Sequence, residues 1–154
     1  MYICIAVVLG VLLAMIPVNP HKEDNPIEEE KSVVTPVRDL EAERWNYFIE
    51  AVIWQESRGV TNAIGDNGQA VGVLQIHPIM VREANRILAL QGINRAYTYE
   101  DRYDREKSIE MFNIVQNFYN KEHDFELALR IWNRYHPESY KTRIFEKYNE
   151  LTSI

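Results

Sequence analysis

Trp45, Phe48, Ile49, Val52 and Ile53 recur at intervals of three and four residues, a period that buries one face of an α-helix. Asp39 is placed to cap such a helix and Gly59 stands just past its end, so the pattern predicts a helix through Ser57. The next member of the stripe is residue 56, a glutamate. At about 100° per residue its side chain falls roughly 20° from those of Trp45 and Ile49, inside the apolar arc. A buried position and an ionisable side chain conflict, and such conflicts mark functional sites. Removal from water disfavours the charged carboxylate, and the partial negative charge at a helix C-terminus disfavours it further. A carboxyl that keeps its proton near neutral pH can hand it to a departing oxygen. The alternative is a frayed last turn that leaves Glu56 in solvent.

Four more helical stretches follow. One runs from about Pro78 to Gln91 and is stopped by Gly92, with proline in the first turn and glycine after the last residue. Asp104 is placed to cap a helix to Tyr119, Asp124 to cap the next, and Pro137 separates that one from a last helix ending near Glu150. Between them lie a Gly-rich stretch, Arg58 to Gly72, and a Tyr-rich loop, Ile93 to Tyr103. Residues 71–77 (VGVLQIH) read alternatively as a short strand. With 46% hydrophobic and 26% charged residues the chain is a folded one, and 154 residues suit a single ordinary domain. The expected fold is mainly α: a compact helical domain with room for a short β segment.

Ahead of it, residues 2–18 carry no charged side chain and just reach the roughly 17 residues a membrane span requires. No Lys or Arg precedes the run, and Ala14-Met15-Ile16 makes a poor cleavage site, so an uncleaved anchor is favoured over a signal peptide. Residues 19–38, with three prolines and the acidic cluster Glu28-Glu29-Glu30, read as a solvated linker. The organisation is therefore 1–18 anchor or signal peptide, 19–38 linker and 39–154 domain. The single cysteine, Cys4, allows no intramolecular disulfide. A net charge of −6 leaves no basic footprint for nucleic acid. The histidines, His21, His77, His123 and His136, lack metal-ligand spacing. Gly65-Asp66-Asn67-Gly68 does not meet the EF-hand pattern, so neither metal nor cofactor is expected.

Glu56-Ser57, Asn62-Ala63 and Gly72-Val73-Leu74-Gln75-Ile76 resemble the soluble type of lytic transglycosylase domain, of the lysozyme-like superfamily. In that family a Glu-Ser pair ends a helix, an Asn-Ala follows, and a Gly-Leu-Met-Gln segment lines the glycan cleft. Trp132-Asn133 is similar to a later aromatic-Asn signature, although Arg134 and Tyr135 stand where small residues usually follow. The resemblance covers about residues 40–150, with its specificity concentrated in 56–76. It implies a lysozyme-like fold and cleavage of the β-1,4 bond between N-acetylmuramic acid and N-acetylglucosamine in peptidoglycan. Glu56 would protonate that bond, then act as base on the substrate's own 6-hydroxyl and close a 1,6-anhydro ring without consuming water. The substrate's acetamido group can assist, in place of the usual second carboxylate.

Goose-type lysozymes share the fold and the glutamate, and carry an aspartate in a Gly-Asp turn six residues before the glycine of the cleft segment. Gly65-Asp66 stands at that interval from Gly72, which makes Asp66 a second catalytic candidate, for positioning water. Ordinary turn chemistry accounts for Asp-Asn-Gly as well. The second aspartate of goose-type enzymes falls on His77, a departure that weakens the hydrolytic reading. The resemblance further implies Ser57, Gln75, Asn133 and Tyr140 as substrate-binding residues. Against this, Ser57 suits a helix-end hydrogen bond, Gln75 can hold its own loop, and Tyr140 can be packing. Gly72 would let the chain pass close to the glutamate. Tyr97, Tyr99 and Tyr103 suit a sugar-stacking rim or an amphipathic surface loop equally. Alternatives are a muramidase hydrolysing the same bond, with Asp66 assisting, and a catalytically idle glycan-binding or assembly protein. The implied partners are glycan strands and, through the N-terminal run, a membrane; the implied location is the cell envelope, anchored or secreted.

Overall fold

The protein was analysed as a computed structural model that describes residues 39–153. The expected anchor (1–18) and linker (19–38) lie outside the described residues. Five helices and one small hairpin make up the domain: α1 Leu40–Ser57, β1 Ile64–Gly65, β2 Ala70–Val71, α2 Pro78–Leu90, α3 Arg105–Tyr119, α4 Phe125–Trp132 and α5 Glu138–Thr152. The fold is mainly helical, as its periodicity predicts. Three helices begin at the aspartates that the sequence singles out, each carboxylate accepting from the backbone amide three residues ahead. Asp39 accepts from Ala42 N at 3.1 Å, Asp104 from Lys107 N at 3.0 Å and Asp124 from Leu127 N at 2.7 Å. Each such cap is worth about 1 kcal/mol.

The stripe on α1 is buried in full: Phe48, Ile49, Val52 and Ile53 have at most 2% of their surface exposed. They belong to one core with Leu74, Ile76, Ile87, Met111, Phe112, Leu129 and Ile144, drawn from every helix and from the segment after β2. Each such side chain contributes roughly 1.5–3 kcal/mol by leaving water. α1 packs on α5, and α2 packs on α3. Trp45 closes one end of the core. Its ring stacks on His123 at 4.3 Å, and its indole N–H donates to Asn113 Oδ1 at 2.8 Å. Among the described residues no helix is long and apolar enough to cross a membrane.

Residues 71–77 do not form a strand. β1 and β2 pair antiparallel, Ile64 opposite Val71 and Gly65 opposite Ala70. The chain then turns through residues 72–75 and returns, so that Ile76 bridges back to Val71. Two residues with left-handed backbone, Gly72 (φ 78°) and Gln75 (φ 48°), make this turn, closed by Gln75 N donating to Gly72 O at 3.1 Å. An unbroken apolar run such as Val73-Leu74 reads as strand by pattern alone, yet here it is a turn driven into the core, with both residues buried.

The Tyr-rich loop divides. Tyr97 is only 7% exposed: its amide donates to Asn85 Oδ1 at 2.7 Å and its hydroxyl to Glu110 at 2.6 Å. It is core, not rim. Tyr99 and Tyr103 remain exposed.

Candidate active site

Glu56 lies in the last turn of α1, one residue before the helix ends and the chain turns left-handed at Arg58 (φ 57°). The turn 72–75 is fastened to that helix end. Ser57 Oγ donates to Val73 O at 2.8 Å and accepts from Gly59 N at 3.2 Å. Its hydroxyl is thereby committed to backbone, and Ser57 sits behind the pocket wall rather than in it. Gln75 is held on the same framework: its amide nitrogen donates to Gly72 O at 3.0 Å and to Ala63 O at 3.3 Å. The donor end of Gln75 therefore holds the loop. Its Oε1 lies over Gly65, where an added Cβ would run into it and make Gln75 shift.

Gly72 has a different reason for being glycine from the one its sequence context offers. A Cβ there would run into the backbone carbonyl of Arg102, not towards Glu56, and its φ is 78°. Arg102 itself is buried at 7% exposure. Its guanidinium donates to Gln69 O and Ile76 O, both at 3.0 Å, and to Tyr99 O at 2.7 Å. It stitches the residue before β2 and the returning chain at Ile76 to the loop before α3. Sequence reading passes Arg102 over, because an isolated arginine in a polar stretch carries no periodic signal.

These ties bring Glu56, Asp66, Gln75 and Asn133, but not Ser57 or Tyr140, to one pocket of about 390 Å³, which Ala70, His77, Ile79, Met80 and Trp132 also line. Glu56 lines it, half-buried. Burial pushes its carboxyl above the usual range, and a hydrogen bond from Tyr140 partly offsets that rise. The Tyr140 hydroxyl donates to Glu56 Oε1 at 2.5 Å. Tyr140, on the first turn of α5, is 6% exposed. Its hydroxyl reaches the carboxyl, but Tyr140 does not line the pocket. Burial raises the phenol's own pKa, and the neighbouring Glu56 charge and bond raise it further.

Asn133 ends α4 and its side chain makes no hydrogen bond among the described residues, so its amide is available at the pocket wall. Trp132 serves both sides: it lines the pocket while its ring meets Phe112 edge-on at 4.7 Å. Asp66 has left-handed backbone (φ 46°), as has Asn67 after it (φ 51°). Asp66 Oδ2 lies 3.4 Å from His77 Nε2 across the pocket mouth. The pocket thus combines one carboxyl whose pKa is raised by burial, one exposed acidic side chain beside an imidazole, an open amide and an aromatic wall. That set can protonate a leaving oxygen and orient an amide-bearing ring.

A family model described as the transglycosylase SLT domain matches residues 38–133, well over half of the chain. Comparison with curated proteins and with solved structures found no match. The matched segment contains every residue lining the pocket, whereas Tyr140 lies beyond it.

Proposed function

The chain belongs to the transglycosylase SLT domain family, enzymes of the lysozyme-like type that act on peptidoglycan, and we propose that it cleaves the N-acetylmuramic acid to N-acetylglucosamine bond through Glu56. The observation that carries this reading is the half-buried Glu56 carboxyl lining a pocket, its pKa raised by burial. With the Tyr140 hydroxyl donating to Oε1, Oε2 is left to carry the proton. Glu56 gives it to the glycosidic oxygen as the bond to the anomeric carbon breaks. The resulting carboxylate takes the proton of the muramyl 6-hydroxyl as that oxygen closes on the same carbon. The product is a 1,6-anhydro end, and Glu56 is again protonated.

In this reading Asn133 offers its amide to the substrate's acetamido group, since a placed polar group fixes a ligand's orientation in its pocket. Trp132 offers an apolar face to the sugar. Tyr140 acts on Glu56 rather than on substrate, and Ser57 and Gln75 keep the helix end and the turn in register. The uncharged run 2–18 supports work in the cell envelope.

Digestion of purified peptidoglycan by the full chain, with the muropeptides weighed, tests the proposal. Products one water lighter than hydrolytic fragments are expected. Absence of any released muropeptide would overturn it. Hydrolysis of the same bond is the second reading, favoured by the presence of Asp66 in the pocket wall, and it would leave reducing ends.

A further inference from the structure

The buried Arg102 is fixed from both ends. Its carbonyl accepts from the Ser108 hydroxyl at 2.8 Å and lies against Gly72. The Asp101 carboxylate beside it accepts from Thr98 N at 2.7 Å and from Lys107 Nζ at 2.6 Å, which holds the turn 98–104 in place. From this base the side chain runs to the hairpin. One nitrogen, Nη1, donates to both Gln69 O and Ile76 O, each at 3.0 Å, while Nε donates to Tyr99 O at 2.7 Å. Burying a cation is costly unless its hydrogen bonds are made. Among the described residues these bonds end on backbone carbonyls, with no carboxylate paired to it, so the side chain gives its donors to backbone position. The two carbonyls held by Nη1 adjoin the pocket. Gln69 precedes Ala70, and Ile76 stands between Gln75 and His77, and all three of those neighbours line it.

We propose that Arg102 is a positioning residue of the pocket, its guanidinium setting the spacing between the chain entering β2 and the chain returning from the turn at Ile76. The inference rests on the function proposed above. Glu56, Trp132 and Asn133 come to the pocket from α1 and the end of α4, and the remaining lining residues all belong to segment 66–80. Ser57 ties the middle of that segment to α1 through Val73 O. Arg102 ties its two flanks, at Gln69 and Ile76, to each other through one nitrogen. A planar guanidinium carries its donors in fixed directions, so its shape sets the separation of the two carbonyls. Without that bridge the flanks move independently, and a sugar ring seated against Ala70, Gln75 and His77 is held less firmly. The bonds of Arg102 end on the hairpin and on its own loop, none on Glu56 or Tyr140. Its effect therefore falls on how the glycan is held and leaves the proton of the acid alone.

The full chain carrying Arg102→Met or Arg102→Lys is assayed on soluble peptidoglycan strands, well below the Tm of each variant, with kcat and KM read separately across pH. Methionine keeps much of the side chain's length without donors. Lysine can bond both carbonyls through one ammonium but loses the Nε tie to Tyr99. Arg102→Met should raise KM about tenfold, equivalent to ~1.4 kcal/mol and near the net worth of one charged hydrogen bond. The alkaline limb of kcat/KM should stay at the parent's pH. Arg102→Lys should recover part of the loss. A role in stability alone removes active molecules, which lowers kcat and leaves KM in place. That outcome overturns the proposal, and so does a shifted limb, which would place the effect on Glu56. If Arg102→Met does not fold, the KM of Arg102→Lys decides by the same criteria. If neither folds, Arg102 serves the fold rather than the pocket and the proposal is overturned. A parent chain that releases no muropeptides overturns the function itself, whereas an active parent beside variants of unaltered KM overturns this inference alone.

Discussion

Glu56→Gln keeps an acceptor for the Tyr140 hydroxyl and removes the transferable proton. Turnover of peptidoglycan should fall by about 10²–10⁴-fold, the usual contribution of a positioned acid-base group, with the helical circular dichroism unchanged. The same variant should gain stability in a defined pH range. Because the folded carboxyl holds its proton above the ordinary value of 4.5, the native state binds a proton that the unfolded chain has released. Stability therefore declines as pH rises from that value through the raised one. Glu56→Gln escapes the decline, so its Tm should exceed that of the parent at neutral pH and match it near about pH 4. Tyr140→Phe tests the other half of the pair. Its hydroxyl holds the Glu56 pKa down, and its loss should move the alkaline limb of the kcat/KM profile to higher pH. A limb that stays in place or moves to lower pH would show that the hydroxyl does not act on the carboxyl in solution.

At the scale of elements, the hairpin turn is the part with least freedom to vary. Gly72→Ala meets the Arg102 carbonyl in a left-handed conformation. The conformational part alone costs of order 1–3 kcal/mol, so urea denaturation should register at least that loss, with activity falling alongside as the turn shifts from Ser57 and Gln75. Helices were legible in the sequence for physical reasons that act locally. Asp39, Asp104 and Asp124 bond to amides three residues ahead, and the stripe from Trp45 to Ile53 repeats with the helix itself. The hairpin was not legible: its strands are two residues long, too short for alternation to register, and its bends rest on Asp66, Asn67 and Gln75, which need not be glycine to turn left-handed. The same limit governs the site. Glu56 announced itself as a charge in an apolar arc. Tyr140, His77 and Arg102 owe their places to contacts made 84, 11 and 26 residues away, which no local pattern encodes. Tyr97 misled for a like reason, since Asn85 and Glu110 draw it inward.

For the whole molecule, a net charge of −6 sets the terms of encounter with a wall whose stem peptides also carry carboxylates. Like charges repel over roughly a Debye length, about 30 Å at 0.01 M salt and 8 Å at 0.15 M. Initial rates on insoluble peptidoglycan should accordingly rise as salt is added over that range. A rate that falls would mean that a local basic surface governs binding. Capture of substrate then depends on short-range contacts in the pocket rather than on long-range attraction.

α1 carries Asp39 at its first turn and Glu56 at its last. Eighteen helical residues span about 27 Å at 1.5 Å each, so the polypeptide enters this domain at the far end of α1 from the proposed proton donor. A bead, dye or fusion partner joined just ahead of Asp39 would attach at that remote end, leaving the mouth unobstructed. Pulling on such a handle would load α1 along its length, a helix whose inner face is locked into the core.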